Sequence, residues 1–245
     1  MERGKGMKAF NESVEFFRDR YQFVLLFSIP FFFALLIPVL VAAPTYIALG
    51  GVFLRTGSIP ELDFLQIGIT IIAYLVSLYI IADSIVNLNL LVKSRKTLTK
   101  IGSEVSKAMG TYAVTIFLIY TLVAVLMLVL QLVTFDFPLR GVLLPVAAML
   151  LGLVLFFVPP AVVIDGMRPW YAVSASTEMA VKKLPEVFFW VLIGLFALTV
   201  SELIFLFVPY PFGVYLTMLF NSVVVIPFLL IYQTFIYMKK YPLAH

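Results

Sequence analysis

The sequence predicts an all-α polytopic membrane protein. It has six transmembrane helices in three hairpins, each preceded by an amphipathic helix in the cytoplasmic interface. Three observations predict this. Hydrophobic residues are 63% of the 245-residue chain and charged residues 12%, with a mean hydropathy of +1.10; soluble globular chains carry about 45–50% apolar and about 25% charged residues. The apolar residues gather in six runs near 21–43, 65–92, 109–134, 141–164, 186–208 and 212–238, each long enough for the about 20 residues of a helical span. Basic residues then alternate between the connections: fifteen of the seventeen Lys and Arg fall on one side, and only Arg55 and Arg140 fall on the other. The positive-inside rule places both termini in the cytoplasm.

Residues 1–20 form the first element. Met7, Phe10, Val14, Phe17 and Tyr21 recur at helical steps, with Glu12, Glu15, Arg18 and Asp19 off the stripe. This pattern predicts an amphipathic helix in the membrane interface. Residues 21–245 form a single membrane domain. The first span is expected to stay as a signal anchor, because its apolar run is longer than the about 7–15 residues of a cleaved leader's core. Pro30, Pro38 and Pro44 punctuate it, and apolar character continues past Gly50-Gly51. Residues 44–54 fit either a span extension or a re-entrant end. The second run, at 28 residues, makes about 42 Å of helix and must tilt or project.

The three inner segments resemble one another. Ala9-x-x-x-Ser13-x-Glu15 is matched by Ala172-x-x-x-Ser176-x-Glu178, while Leu98, Ile101, Val105 and Met109 keep the helical period without those letters. Each leads into a span and a short outer turn, with Pro138 and Pro211 suited to the turns. The joint between spans four and five is the clearest copy. Pro159-Pro160 removes two backbone donors and ends or kinks span four. Asp165-Gly166 is a turn pair, and Pro169 suits a first helical position. Val173, Ala180 and Leu184, with Ser176 or Thr177 between them, give one helical face. Glu178 precedes Lys182 by four, the favourable order for a helical ion pair. Trp170 and Tyr171 sit where aromatic belts sit.

Pro159, Pro160, Asp165, Pro169, Ala172 and Ser176 together resemble a motif of prokaryotic six-span membrane proteins. That family includes the YciC-like proteins and the membrane domain attached to some glycerophosphodiester phosphodiesterases. The resemblance implies the fold and little chemistry, because the phosphodiesterase activity of the fused proteins belongs to a separate soluble domain. The family's basic residue and tryptophan around the Ser are replaced here by Ala175 and Thr177.

Four polar residues within the spans are candidate site residues: Asp83, Asn87, Glu202 and Asn221. Asp83 lies nine residues from the inner end of its run, about 14 Å, and Asn87 is one turn away. Charging an acid at that depth costs about 2.5–3.5 kcal/mol, so Asp83 is expected to be protonated, bonded to neutral partners or facing water. The functional reading is a polar path or an ion-coupled site. The plainer reading is interhelical hydrogen bonding, about 0.6 kcal/mol per contact. Ala148-x-x-x-Gly152 and Ala197-x-x-x-Ser201 permit close helix approach.

No cysteine is present and the single histidine is His245, which removes thiolate, disulfide and most metal chemistry. No metalloprotease, nucleophile-elbow, phosphate-loop or EF-hand motif occurs. The chain is therefore expected to be no enzyme, with no cofactor and no metal. The basic residues are spread over four connections, which argues against nucleic acid and for anionic inner-leaflet lipid. The expected role is non-enzymatic: organising or supporting a membrane complex or the local bilayer, in the plasma membrane, with lipids, other membrane proteins or a second copy as partners. The alternative is a small transporter or channel with its site at Asp83.

Overall fold

Every regular element among the described residues is helical. The computed structural model describes residues 3–56, 64–97 and 103–239, with side chains at 8–38, 64, 65, 67–94 and 110–239. The order is α1 (Arg3–Asp19), α2 (Tyr21–Thr56), α3 (Phe64–Thr97), α4 (Ser103–Val133), α5 (Arg140–Leu155), α6 (Val158–Asp165), α7 (Pro169–Lys182), α8 (Leu184–Phe205), α9 (Phe212–Phe220), a π-helical turn (Asn221–Val225) and α10 (Ile226–Met238). Six stretches are long and apolar enough to cross a membrane: Tyr21–Pro38, Ile67–Ser94, Gly110–Val133, Arg140–Asp165, Leu184–Phe205 and Phe212–Met238. They coincide closely with the six apolar runs.

Three expectations change. Residues 44–54 continue α2 to Thr56 as helix, so they extend the first span's helix rather than form a re-entrant end. The middle inner helix is not separate: α4 runs from Ser103 through Val105 and Met109 into the third span, while Leu98 and Ile101 lie outside the described residues. Span four is two helices. The chain turns at Phe156-Phe157 and resumes helix at Val158, with Pro159 and Pro160 in the first turn of α6. Proline is tolerated there because first-turn N–H groups have no intrahelical acceptor. The last span widens into its π turn just before Pro227, another point where a helical donor is missing.

Packing is concentrated at one end of the spans, the end that carries the basic connections and is expected to be the inner one. α3, α6 and α10 touch one another pairwise and form a central triangle. α4 packs on α3, α7 on α5 and α6, and α1 on α10. Val158 to Val163 of α6 are all buried, as is almost every residue of α10 from Leu229 on, and Ala82 to Val92 of α3 are largely buried. The outer halves present apolar side chains outward, among them Leu132, Val142, Met149, Phe196 and Phe207. Such a surface suits lipid, which is as apolar as the side chains it meets.

The packing faces of α1 and α7 overlap the expected stripes in part. On α1 the buried residues are Ala9, Ser13 and Phe16, while Val14, and Tyr21 at the start of α2, are exposed. Phe10 and Phe17 flank the contact, edge-on to Phe228 at 5.7 and 6.2 Å. On α7 the buried residues are Ala172, Ser176 and Ala180, while Leu184 just beyond is exposed. Small residues let one helix backbone approach another, so the close face of α7 follows Ala and Ser, and that of α1 combines Ala9 and Ser13 with Phe16, which packs on Phe235 at 5.7 Å.

Two glycines are needed where they stand. Gly166 ends α6 in the left-handed region at φ 65, the usual C-terminal stop. At Gly213, in the first turn of α9, a Cβ would lie 2.7 Å from the Phe205 carbonyl oxygen and 2.8 Å from that of Val208.

Candidate functional site

The break in span four is the point from which the polar structure is built. Without N–H groups at 159 and 160, carbonyls at the end of α5 lose their helical donors, and inside a bilayer these must be replaced. The Ser176 hydroxyl, on α7, donates to the Val154 carbonyl at 2.7 Å and accepts from Phe157 N–H at 2.8 Å. The Gln233 side-chain amide, on α10, donates to the Phe156 carbonyl. Phe156 and Trp190 pack edge-to-face beside the break at 5.0 Å, and Trp190 Nε1 donates to the Leu229 carbonyl at 2.7 Å.

The lower end of α6 is held as well. Lys93, on α3, donates to the Val163 and Ile164 carbonyls at 3.0 and 2.9 Å. A cation at the last carbonyls of a helix meets its negative end. The Asp165 carboxylate lies within electrostatic reach of Lys93 and accepts from the Tyr237 hydroxyl of α10. The Thr234 hydroxyl lies 2.8 Å from Asn89 Oδ1, joining α10 to α3. All three sides of the central triangle therefore carry a polar tie. Lys183 repeats the device on α10, donating to the Ile236 carbonyl at 2.7 Å.

The expected candidates divide. Pro159, Pro160, Asp165 and Ser176 belong to this network, Ala172 lies buried on the same face of α7, and Pro169 opens α7. Asp165 is more than a turn residue, since it binds α10 and faces Lys93. Among the described residues, the side chains of Asp83 and Asn87 make their polar contact only with each other, Asn87 Nδ2 donating to Asp83 Oδ2 at 3.0 Å. Asn87 Oδ1 is buried and unpartnered among the described residues. Asn221 accepts from Ser201 at 2.7 Å, whereas Glu202 is exposed on the outer half of α8. The four intramembrane candidates are thus not gathered into one site. Ser201 does make a helix contact, but Ala148 and Gly152 are exposed, and a Cβ at Gly152 would meet nothing within 4 Å.

Lys93, Gln233 and Tyr237 were not among the candidates. The sequence held a signal for Gln233. Two consecutive prolines within an apolar run leave two carbonyls to be satisfied, and a lone Gln inside another span is a suitable donor. Lys93 and Tyr237 carried no such signal, since a Lys and a Tyr at a span's inner end are ordinary interfacial residues.

Among the described residues, no group of three or more Asp, Glu or His is placed to hold a metal ion. Outside the spans, Glu178 and Lys182 form the expected helical pair at 2.5 Å. The hydrogen bond from Lys182 holds the Glu178 carboxyl below its ordinary value. No family model, curated protein or solved structure matches the chain.

Proposed function

We propose that the chain is a non-enzymatic integral membrane protein that organises or supports a membrane complex or the local bilayer. On this reading it sits in the plasma membrane with both termini cytoplasmic, and its relationship to the YciC-like proteins rests on the Pro159 to Ser176 motif. One observation carries the reading: the polar groups around the central triangle, Lys93, Ser176, Gln233 and Thr234 among them, tie helices together and close helix ends. Groups held in this way are not arranged around a reacting centre. The apolar outer halves supply surface for lipid or for the spans of a partner.

Extraction in a mild detergent followed by native mass spectrometry tests it. The reading expects the chain to retain a membrane protein, a second copy or anionic lipid at fixed stoichiometry. A bare chain, released with none of these under conditions that preserve its fold, contradicts it.

The unpartnered Asn87 Oδ1 beside Asp83 favours a second reading, a small transporter or channel whose path passes that pair. It expects a pH-dependent ion flux that Asp83→Asn removes.

A further inference from the structure

One seam of the bundle stays open. In two of the three hairpins the second span packs on the first span of another: α3 on α4, and α9 with the π turn on α2. No comparable packing joins α5 to α8. They approach at the level of the break, where Phe156 meets Trp190 at 5.0 Å, and α7 touches both. Above that floor the walls are bare. α5 has no buried residue. Its Val142, Val146 and Met149, opposite the half-buried Leu144 and Leu151, are exposed.

Glu202 projects from α8 into this seam. α10 meets α8 at Leu229, the break at Gln233, α3 at Thr234 and α1 at Phe235, which fixes the order of helices around it. Because α10 runs inward and α8 outward, that order turns one flank of α8 toward α1 and the other toward α5. Glu186, within electrostatic reach of Tyr232, is on the first flank. Val191, Leu195 and Glu202 share the second. Glu202 is exposed and has no hydrogen bond or ion pair among the described residues. Arg140, the cation at the outer end of α5, lies instead over the Phe135 ring at 4.9 Å.

The seam selects its occupant by chemistry and by depth. Apolar walls open to the bilayer suit a hydrocarbon chain. A carboxylate accepts and attracts cations, and its strongest partner is a cation that also donates. From the Trp190 floor to Glu202 is twelve residues of α8, about 18 Å. That is close to half of the about 30 Å hydrocarbon core, the reach of one leaflet's chains. We propose that this seam is a lipid site: one chain of a lipid, from the leaflet opposite the basic connections, lies between α5 and α8, and its primary ammonium headgroup meets the Glu202 carboxylate. The inference rests on the reading of a chain that supports the local bilayer, and names the lipid.

Native mass spectrometry of the full chain tests the head. Phosphatidylethanolamine, phosphatidylcholine and phosphatidylglycerol with identical chains are supplied at equal concentration. The wild type should retain the ethanolamine lipid about tenfold better than the others, the discrimination of one charge-assisted hydrogen bond. Glu202→Gln should remove that preference, whereas Asp136→Asn, in the turn before α5, should leave it. A diazirine near the end of the ethanolamine lipid's chain should label α8 near Val191 and α5 near Met149. Equal retention of the three lipids, a preference that survives Glu202→Gln, or labelling confined to other helices overturns the proposal. So does a dimer that Glu202→Gln dissociates, since a second copy then fills the seam. If the wild type retains a partner or an anionic lipid and shows no preference for the amine, this inference falls and the organising reading stands. A chain that retains nothing removes both.

Discussion

Ser13 and Ser176 occupy matching places in the two recurring inner segments, and both are fully buried, yet their hydroxyls do different work. Ser13 bonds the carbonyl one turn back in its own helix at 2.7 Å, a contact its helix does not need. Ser176 closes a break in another helix. Ser176→Ala removes the acceptor of the buried Phe157 N–H, and should lower stability by about 1–3 kcal/mol. Ser13→Ala should cost well under about 1 kcal/mol. Thermal unfolding of the two variants in one detergent checks the difference, and equal losses would show that the break is closed some other way. Lys93→Met uncaps two carbonyls and removes the cation facing Asp165. It should cost about 1–3 kcal/mol in the same assay, with Lys93→Arg recovering part of the loss. At the surface, Glu178 titrates below its ordinary value because Lys182 bonds it. Its folded value being depressed, the pair's contribution is present at neutral pH and is lost as pH falls through that value. Lys182→Gln should raise the Glu178 titration midpoint, read by carboxyl NMR shifts, without disturbing the bundle.

At the scale of elements, helix breaks explain where polar side chains sit. Pro159-Pro160 announced a break in span four, but its position two residues earlier and its repair by α7 and α10 were not legible. Both depend on which helices lie alongside, and no local pattern encodes that. The inner helices were legible as helices, and their packing faces only in part: Ser176 and Ala180 are buried as expected, and Phe10, Phe17 and Val173 pack against the core. Large apolar residues at Phe10, Val14 and Phe17 marked a stripe, while the fully buried line is Ala9, Ser13 and Phe16, with Phe10 and Phe17 at its flank and Val14 exposed, because the position of α10, which no local pattern encodes, sets the approach. The break makes a quantitative prediction. Pro160→Ala restores an N–H able to serve the Phe156 carbonyl, so Gln233 should matter less. Gln233→Leu should cost about 1 kcal/mol less in the Pro160→Ala background than in the wild type, a coupling of the size found between contacting residues. Additive losses would mean that Gln233 does not serve that carbonyl.

At the scale of the whole molecule, the six spans were almost fully legible, because length and apolarity fix a span without knowledge of its neighbours. The partners of the polar residues were not. The basic inner face was first explained by lipid attraction alone, but Lys93 and Lys183 reach inward to helix C-termini and so belong partly to the fold. Polar ties join all three sides of the central triangle, whereas among the described residues Asp83 and Asn87 bond only each other. Whether that pair is structural or a path decides between the two functional readings. The most direct measurement is proton and ion flux in sealed proteoliposomes, compared across pH for wild type and Asp83→Asn. An organising protein predicts no flux above protein-free vesicles and no difference between the two proteins. A pH-dependent flux in the wild type that Asp83→Asn abolishes would contradict it.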